Sequence, residues 1–441
     1  MPVRRSLTIL LTSYLLASAG ATADMTLPAP VTDADYRQID PDRAALGQLL
    51  FYDPILSGNR NISCATCHHP RFGTGDGVSL SLGEGGVGLG PERRIDPDNP
   101  PEQRIPRNAP ALFNLGAHEF TVMFHDGRLE ADPTRPGGLR TPLDADMVAG
   151  FDSVLSAQTM FPVLSPDEMA GHYGENDVAK AVRLGRITGT GGAWDIIAGR
   201  VRAIPTYAGR FAAVDSEIAA GRPIDFTDIS NVIADFMALE WRADESPFDA
   251  HLRQGTPLPQ EAAKGMALFY GPAGCADCHS GPFQTDHAFH ALAVPQFGPG
   301  KAARFEDHSR DVGRARVTGA DVDLYRFRTP SLRNVALTAP YGHTGAFRTL
   351  EEMIAHHGAP LETYDLSQAV LPEPTAFGQR DSAELAHLAS LTEARSAEPP
   401  ALSPGDVAAL VAFLQSLTDR AGADGRLGIP AAVPSRLPVD R

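Results

Sequence analysis

The four cysteines of the chain lie in two copies of Cys-x-x-Cys-His, SCATCH at 63–68 and GCADCH at 274–279. Two thiols at this spacing, followed at once by His, are the attachment pattern of c-type haem. The thiols form thioethers to the porphyrin vinyl groups, and the adjacent His reaches the iron. The sequence predicts two such sites, whose residues are Cys64, Cys67 and His68 for the first haem, and Cys275, Cys278 and His279 for the second.

A zinc site is the alternative interpretation of these cysteines, because Cys-x-x-Cys is also half of a zinc ribbon. Zinc does not require His immediately after both pairs. Free thiolates are also disfavoured in an oxidising compartment. The pattern therefore favours haem.

The N-terminus predicts export to such a compartment. Arg4 and Arg5 precede an apolar run, and Ala-Thr-Ala at 21–23 fits a cleavage site before Asp24. We predict a signal peptide at 1–23 and a periplasmic mature protein; an N-terminal anchor helix is the alternative. The formal charge of −16 argues against nucleic acid and suits a basic soluble partner.

Two similar segments must position the two motifs. Gly47 precedes Phe51 by four residues ahead of the first motif, as Gly265 precedes Phe269 ahead of the second. Each half also ends in an apolar-periodic helix, near 228–241 and 404–418. We predict a mainly α fold of two cytochrome c-like haem domains with extensive ordered loops. The predicted limits are 24–245 and 246–425, with a linker near 243–260 and a tail at 426–441.

Several further stretches accompany the two motifs in a fixed order. In chain order they are SGNRNISCATCH, RNAPALFN, MFHDGR, FPVLSPDEMA, the second CADCH and RTPSLRNVALTAPYGHTGAFRTLEEMI. Together they resemble the bacterial di-haem cytochrome c peroxidase and MauG family, over about residues 41 to 420. The resemblance implies that the first haem takes peroxide and that the second is six-coordinate and transfers electrons.

In many family peroxidases a His sixteen residues after the proximal His blocks the first iron until reduction. That position is Glu84 here. The resemblance therefore implies an open first haem, as in MauG-like enzymes. Weak ligation by Glu84 is the alternative.

The resemblance also implies the distal acid-base group of the first haem. The family pattern falls on Glu168, with Pro162 crowding the pocket and Gln158 able to hydrogen-bond a bound oxygen. A carboxylate over an apolar face could move a proton between the peroxide oxygens. The residues alone leave another interpretation open, because 165–168 (SPDE) also fits a helix capping box.

The resemblance implies that the distal ligand of the second haem lies fourteen residues after His343, at His357. Family peroxidases have Met there and MauG has Tyr. Met353, His356 and Tyr364 are the alternative ligands, and a solvated histidine pair is the interpretation without the family.

His125 stands where the family usually carries a Trp relay between the haems. Imidazole is harder to oxidise than indole, so electron hopping through His125 is disfavoured. Electrons would instead pass through Phe124 or tunnel directly between the haems. His125 could also be a hydrogen-bonding loop residue. The two tryptophans, Trp194 and Trp241, are predicted to be core residues rather than relays.

The resemblance implies one calcium ion between the domains. Its ligands would be the Asn108 side chain and the carbonyls of Thr338 and Pro340, because oxygen ligands suit a hard cation. Asn108 as a simple turn residue is the alternative.

Three functions fit these residues. The first is a peroxidase that reduces hydrogen peroxide with electrons from a small cytochrome c or copper protein. The second is a MauG-like or MbnH-like oxidase that uses peroxide to oxidise side chains of a partner protein. The third is an electron carrier with two six-coordinate irons, which the lack of His at position 84 opposes. Family members are commonly homodimers.

Overall fold

The structure is a computed structural model of the chain. It describes residues 26–301, 310–359, 361, 363–378, 391–392, 395–396 and 400–441. The predicted signal peptide at 1–23 lies outside the described residues. The described part is mainly α, as predicted, and its strands are short antiparallel pairs. No helix in the described part of the chain is long and apolar enough to cross a membrane.

The helices are numbered here in chain order. They are α1 Pro41–Phe51, α2 Cys64–Cys67, α3 Val154–Thr159, α4 Asp177–Arg183, α5 Ala193–Arg202, α6 Pro205–Val214, α7 Ser216–Ala219, α8 Phe226–Glu240, α9 Pro247–Gln254, α10 Gln260–Phe269, α11 Ala315–Thr318, α12 Leu350–Gly358, α13 Pro404–Gln415 and α14 Arg420–Asp424. The strands are β1 Gly86–Val87, β2 Arg94–Ile95, β3 Val122–Met123, β4 Leu129–Ala131, β5 Leu139–Arg140, β6 Phe289–His290 and β7 Phe327–Arg328. They pair as β1–β2, β3–β4–β5 and β6–β7.

The same helix pair is built twice, which explains the repeated Gly and Phe of the sequence. Helix α1 packs on α8 in the first half, and α10 packs on α13 in the second. A Cβ at Gly47 would collide with the carbonyl oxygen of Val232, and a Cβ at Gly265 would collide with that of Ala409. Both glycines therefore permit a close helix crossing that places the following haem motif.

The described residues form two large hydrophobic cores, and each core includes a side chain from the other side of the predicted domain boundary. Leu80 from the first half packs in the second core, whereas Phe283 from the second half packs in the first. The C-terminal segment 426–441 also returns to the first core, where Val433 is buried.

Candidate haem sites

The first attachment motif forms the short helix α2. Ser63 and Thr66 make a capping box at its start, and the N–H of His68 bonds to the carbonyl of Cys64 at 3.0 Å. The ring Nδ1 of His68 lies 3.0 Å from the carbonyl oxygen of Thr74. Since a carbonyl only accepts, Nδ1 carries the proton and Nε2 is left with a free lone pair. Burial lowers the pKa of His68, so the imidazole is neutral at neutral pH.

The second motif has the same construction. The N–H of His279 bonds to the carbonyl of Cys275 at 2.9 Å, and its Nδ1 donates to the carbonyl oxygen of Gln284 at 3.2 Å. Burial lowers the pKa of His279 to about 4. Each motif thus presents a neutral, oriented imidazole nitrogen, which is the form that binds a metal.

A large cavity adjoins the first motif, and its walls fit a haem. The cavity has an empty volume of about 1090 Å³, including space open to solvent, and Cys64, Cys67 and His68 line it. Its apolar walls include Phe51, Ile62, Leu112, Ile233 and Met237. Burial raises the pKa of the Cys64 thiol to about 12, so the cysteine is a neutral thiol in this apolar setting. Thiols, neutral imidazole and apolar walls are what a covalently attached haem needs.

The three predicted distal residues lie at the same cavity. Gln158, Pro162 and Glu168 all line it. The Oε1 atom of Gln158 is buried and has no hydrogen-bond partner within the described chain, so it is free to accept a hydrogen bond at this cavity. The structure brings the distal residues together with the proximal His68, although they are about a hundred residues apart in sequence.

Glu168 reaches the cavity from a wide helical turn, Pro166–Ala170, rather than from a regular helix. The N–H groups of Met169 and Ala170 both donate to the carbonyl of Ser165, at 3.0 and 2.9 Å. The Ser165 side chain makes no capping hydrogen bond. The capping-box interpretation is therefore wrong for this turn, apart from the Pro at its first position. The Glu168 carboxylate does not serve as a cap.

Glu84, which stands at the family's blocking position, is held away from this role. Its side chain is buried, and its Oε1 accepts from the amides of Asn59 and Asn61, each at 2.8 Å, and of Asn99 at 3.4 Å. Glu84 is not among the residues that line the cavity. The arrangement gives no support to ligation by Glu84.

At the second site, hydrogen bonds distinguish His357 from His356 and Tyr364 as candidate distal ligands. The Nδ1 of His357 donates to the carbonyl of Met353 at 2.8 Å, which leaves its Nε2 free. Burial lowers the pKa of His357, and a positive charge on His357 would lower the pKa of His279. Met353 packs partly buried against the second core.

The other two candidates are already engaged. His356 donates from Nε2 to the carbonyl of Leu292 at 2.8 Å and accepts at Nδ1 from the N–H of Leu361. The Tyr364 hydroxyl donates to the carbonyl of Ala346 at 2.7 Å. His357 thus keeps an unengaged ring nitrogen, whereas His356 and Tyr364 are engaged.

His125 lines the first cavity and also makes a loop hydrogen bond. Its Nε2 donates to the carbonyl of Asn108 at 3.1 Å, and the N–H of Asn108 donates to the carbonyl of His343 at 2.8 Å. Burial, together with Arg107, lowers the pKa of His125 to about 4. His343, which the sequence offered only as a motif marker, stacks on Phe327 at 3.7 Å between ring centroids.

The predicted calcium ligands lie around one loop. Asn108 and Pro340 both approach Gly345, and the Thr338 hydroxyl donates to the carbonyl of Val335 at 3.0 Å. The amide nitrogen of Asn108 donates to the carbonyl of Val78 at 2.7 Å. A calcium ion at this place would therefore have to bind the side-chain oxygen of Asn108.

Both tryptophans are buried, with 3% of Trp194 and none of Trp241 exposed, as expected for core residues. Trp241 packs edge-on against Phe51, a wall of the first cavity, with 5.2 Å between ring centroids.

The paired Cys-x-x-Cys-His motifs and the repeated helix crossing are features of a di-haem protein of the c type. Residues 41–256 match the model of the di-haem cytochrome c peroxidase family, described as CCP_MauG. The chain belongs to this bacterial di-haem cytochrome c peroxidase and MauG family.

Curated relatives and solved structures agree with this family. The chain is 29% identical to the methylamine utilization protein MauG of Methylorubrum extorquens, over 77% of this chain and 75% of that one. It is 28% identical to cytochrome c551 peroxidase of Nitrosomonas europaea, over 81% and 85%. A MauG-like protein associated with microbial copper homeostasis has the same fold, with a TM-score of 0.58, 24% identity and coverage of 92% and 96%.

Proposed function

We propose that the chain is a periplasmic di-haem peroxidase, which reduces hydrogen peroxide at its first haem with electrons passed through its second. The observation that carries this proposal is the cavity beside His68, because Gln158, Pro162 and Glu168 line its walls. An acid-base carboxylate near an apolar haem face is what peroxide cleavage requires. The hydrogen bonds that hold Glu84 support an open iron at this site.

The haem, when bound, supplies the electron-transfer chemistry and the open coordination position. His68 would hold it from the proximal side through Nε2. Glu168 would accept the proton of one peroxide oxygen and return it to the other, so that water leaves. Pro162 narrows the space above the haem, and Gln158 orients the bound oxygen. Two electrons and two protons convert one hydrogen peroxide into two waters.

The second haem would be held by His279 and His357, and a fully ligated iron transfers electrons without binding substrate. Asn108, Thr338 and Pro340 would hold calcium between the two halves. The donor would be a small soluble cytochrome c or copper protein, and the formal charge of −16 suits a basic one.

A MauG-like or MbnH-like oxidase is the second candidate. Two observations favour it: Glu84 at the blocking position, and His357 in place of Met at the second haem. A second haem held by two histidines would have a lower reduction potential than one held by His and Met. Together with an open first haem, it suits storage of oxidising equivalents that a protein substrate would then receive.

Steady-state turnover tests the proposal. The haem-loaded protein is mixed with hydrogen peroxide and a reduced small cytochrome c, and donor oxidation is followed optically. We expect peroxide-dependent oxidation without a prior reduction step. No oxidation of cytochrome c or copper donors, together with peroxide-dependent oxidation of tryptophan on a partner protein, would favour the second candidate. Failure of the ferric protein to bind cyanide would contradict an open first haem and leave an electron carrier or an enzyme that must first be reduced.

A further inference from the structure

One lysine from the second half of the chain lies at the cavity of the first haem. The chain contains three lysines, Lys180, Lys264 and Lys301. Lys180 is exposed on α4 and Lys264 is exposed on α10, whereas Lys301 lines the first cavity together with Glu168 and Gln158. Nothing in the sequence motifs pointed to Lys301.

The segment before Lys301 is fixed to the body of the protein. The carbonyl of Pro295 accepts from the Thr344 hydroxyl at 2.7 Å. The Gln296 amide exchanges two hydrogen bonds with the backbone of Asp311, at 2.8 and 3.1 Å.

The next residue, Phe297, is fixed by an aromatic contact. It stacks on Tyr364 with 5.6 Å between centroids and 3° between planes. Contacts within the second half thus fix the segment that carries Lys301 to the first cavity.

The other cations near Lys301 already have anionic partners. Arg107 bridges Asp126 at 2.8 Å and Asp311 at 2.6 Å, and Arg128 pairs with Asp126 at 3.1 Å. Lys301 has no ion pair within 4 Å among the described residues. The negative charge of Glu168 acts to raise the pKa of Lys301. Burial lowers the pKa of Lys301 to about 8, and the nearby Arg128 and Arg107 add to this effect. A partly buried cation of this kind is stabilised by an anion.

We infer that Lys301 is an anion-binding residue of the distal cavity, where it holds a small anion beside Glu168. The inference rests on the proposed function. When Glu168 accepts a proton from hydrogen peroxide, the products are the carboxylic acid and the hydroperoxide anion. The cation of Lys301 would stabilise this anion, and it has no such effect on a neutral ligand. A haem, when bound, would bring its own carboxylates, which are the other candidate anions for Lys301.

Ligand binding to the ferric, haem-loaded protein tests this role at one fixed pH. The probes are fluoride and azide as anions and imidazole as a neutral ligand, each titrated optically. We expect Lys301→Met to weaken fluoride and azide binding about tenfold and to leave imidazole within about twofold. Lys301→Arg should restore anion binding. The matched controls Lys180→Met and Lys264→Met should behave as wild type.

Three outcomes would overturn the inference. The first is an unchanged affinity of Lys301→Met for fluoride and azide. In that case, a shifted reduction potential of the first haem in this variant would assign Lys301 to a haem carboxylate. An equal loss for imidazole would indicate a structural role. If the wild-type protein binds none of the three probes, the first haem is closed, and the proposed function fails with the inference. Binding by wild type with no effect of Lys301→Met leaves the proposed function intact.

Discussion

Glu168 owes its position to the irregular turn Pro166–Ala170, whose backbone N–H groups converge on the carbonyl of Ser165. A regular helix would distribute these bonds and rotate the side chains differently. The turn therefore leaves the carboxylate at the cavity, where the proposed peroxide chemistry would use it.

Replacement of this carboxylate should stop the chemistry without removing the haem. For Glu168→Gln we expect kcat/KM for hydrogen peroxide to fall about 10²–10⁴-fold, because the proton acceptor is lost at constant shape. Asp167→Asn is the matched control, since that carboxylate bonds to the Gln103 amide at 2.8 Å and does not line the cavity. Wild-type turnover by Glu168→Gln would contradict the assignment.

His357 offers a second prediction at this scale. For His357→Ala we expect the second haem to change from low-spin to high-spin, because its distal nitrogen is removed. Met353→Leu, one turn earlier on α12, should leave the spectrum unchanged. The opposite pattern in the two variants would make Met353 the ligand.

The site residues could be predicted where neighbouring positions in the sequence determine the local geometry. The attachment Cys and His residues are adjacent, so local spacing was sufficient. The choice among His356, His357 and Tyr364 needed tertiary contacts, because two of them are engaged by distant carbonyls. Lys301 carries no local signal, since its role depends on a segment folding onto the other half.

At the scale of elements, the C-terminal segment 426–441 behaves as part of the first half. Gln48 of α1 donates to the carbonyls of Leu427 and Gly428, and Ser435 donates to Asp53 at 2.6 Å. The Thr66 hydroxyl inside the first haem motif donates to Asp440. The segment thus closes over the attachment site of the first haem.

Removal of residues 426–441 should weaken the first half selectively. Val433 is buried, and Leu437 and Val439 pack against the same core. We expect the free energy of unfolding to fall by roughly 3–6 kcal/mol, from the apolar burial that is lost. Urea unfolding followed by circular dichroism measures this. Deletion of Arg441 alone is the control, since the hydrogen bonds of its side chain to described residues go to the carbonyls of Pro430 and Ala431, within the same segment. Equal stability of the two truncations would contradict the account.

The helices were predictable from periodicity, but their partners were not. The apolar pattern gave a helix near 404–418, and the structure has one at Pro404–Gln415. The segment 426–441 has no such pattern, and its contacts reach residues more than 370 positions earlier. Sequence periodicity carries no information about pairing at that range.

At the scale of the whole molecule, a buried ion-pair network joins the two halves. Arg107 belongs to the first half and Asp311 to the second, and both side chains are almost fully buried. Burial opposes the charge on Asp311, but Arg107 outweighs burial and lowers the pKa of Asp311 to about 2. The network therefore stabilises the protein fully above the ordinary aspartate pKa of about 4, and this contribution is lost as the pH falls through about 2.

Asp311→Asn should remove this contribution. We expect a loss of about 3–5 kcal/mol at pH 7, because Arg107 loses one of its two partners. The variant should also lose less stability than wild type between about pH 4 and pH 2. Urea unfolding at several pH values measures both effects. Asp33→Asn is the surface control, because that side chain is 86% exposed beside Arg242. A parallel acid dependence of wild type and Asp311→Asn would refute this role.

The central claim is that the two haems differ, the first open and the second closed by His357. Low-temperature electron paramagnetic resonance of the ferric, haem-loaded protein tests this most directly, before and after one equivalent of hydrogen peroxide. We predict one high-spin and one low-spin signal, and the loss of both on peroxide addition. Two low-spin signals that peroxide leaves unchanged would contradict the account.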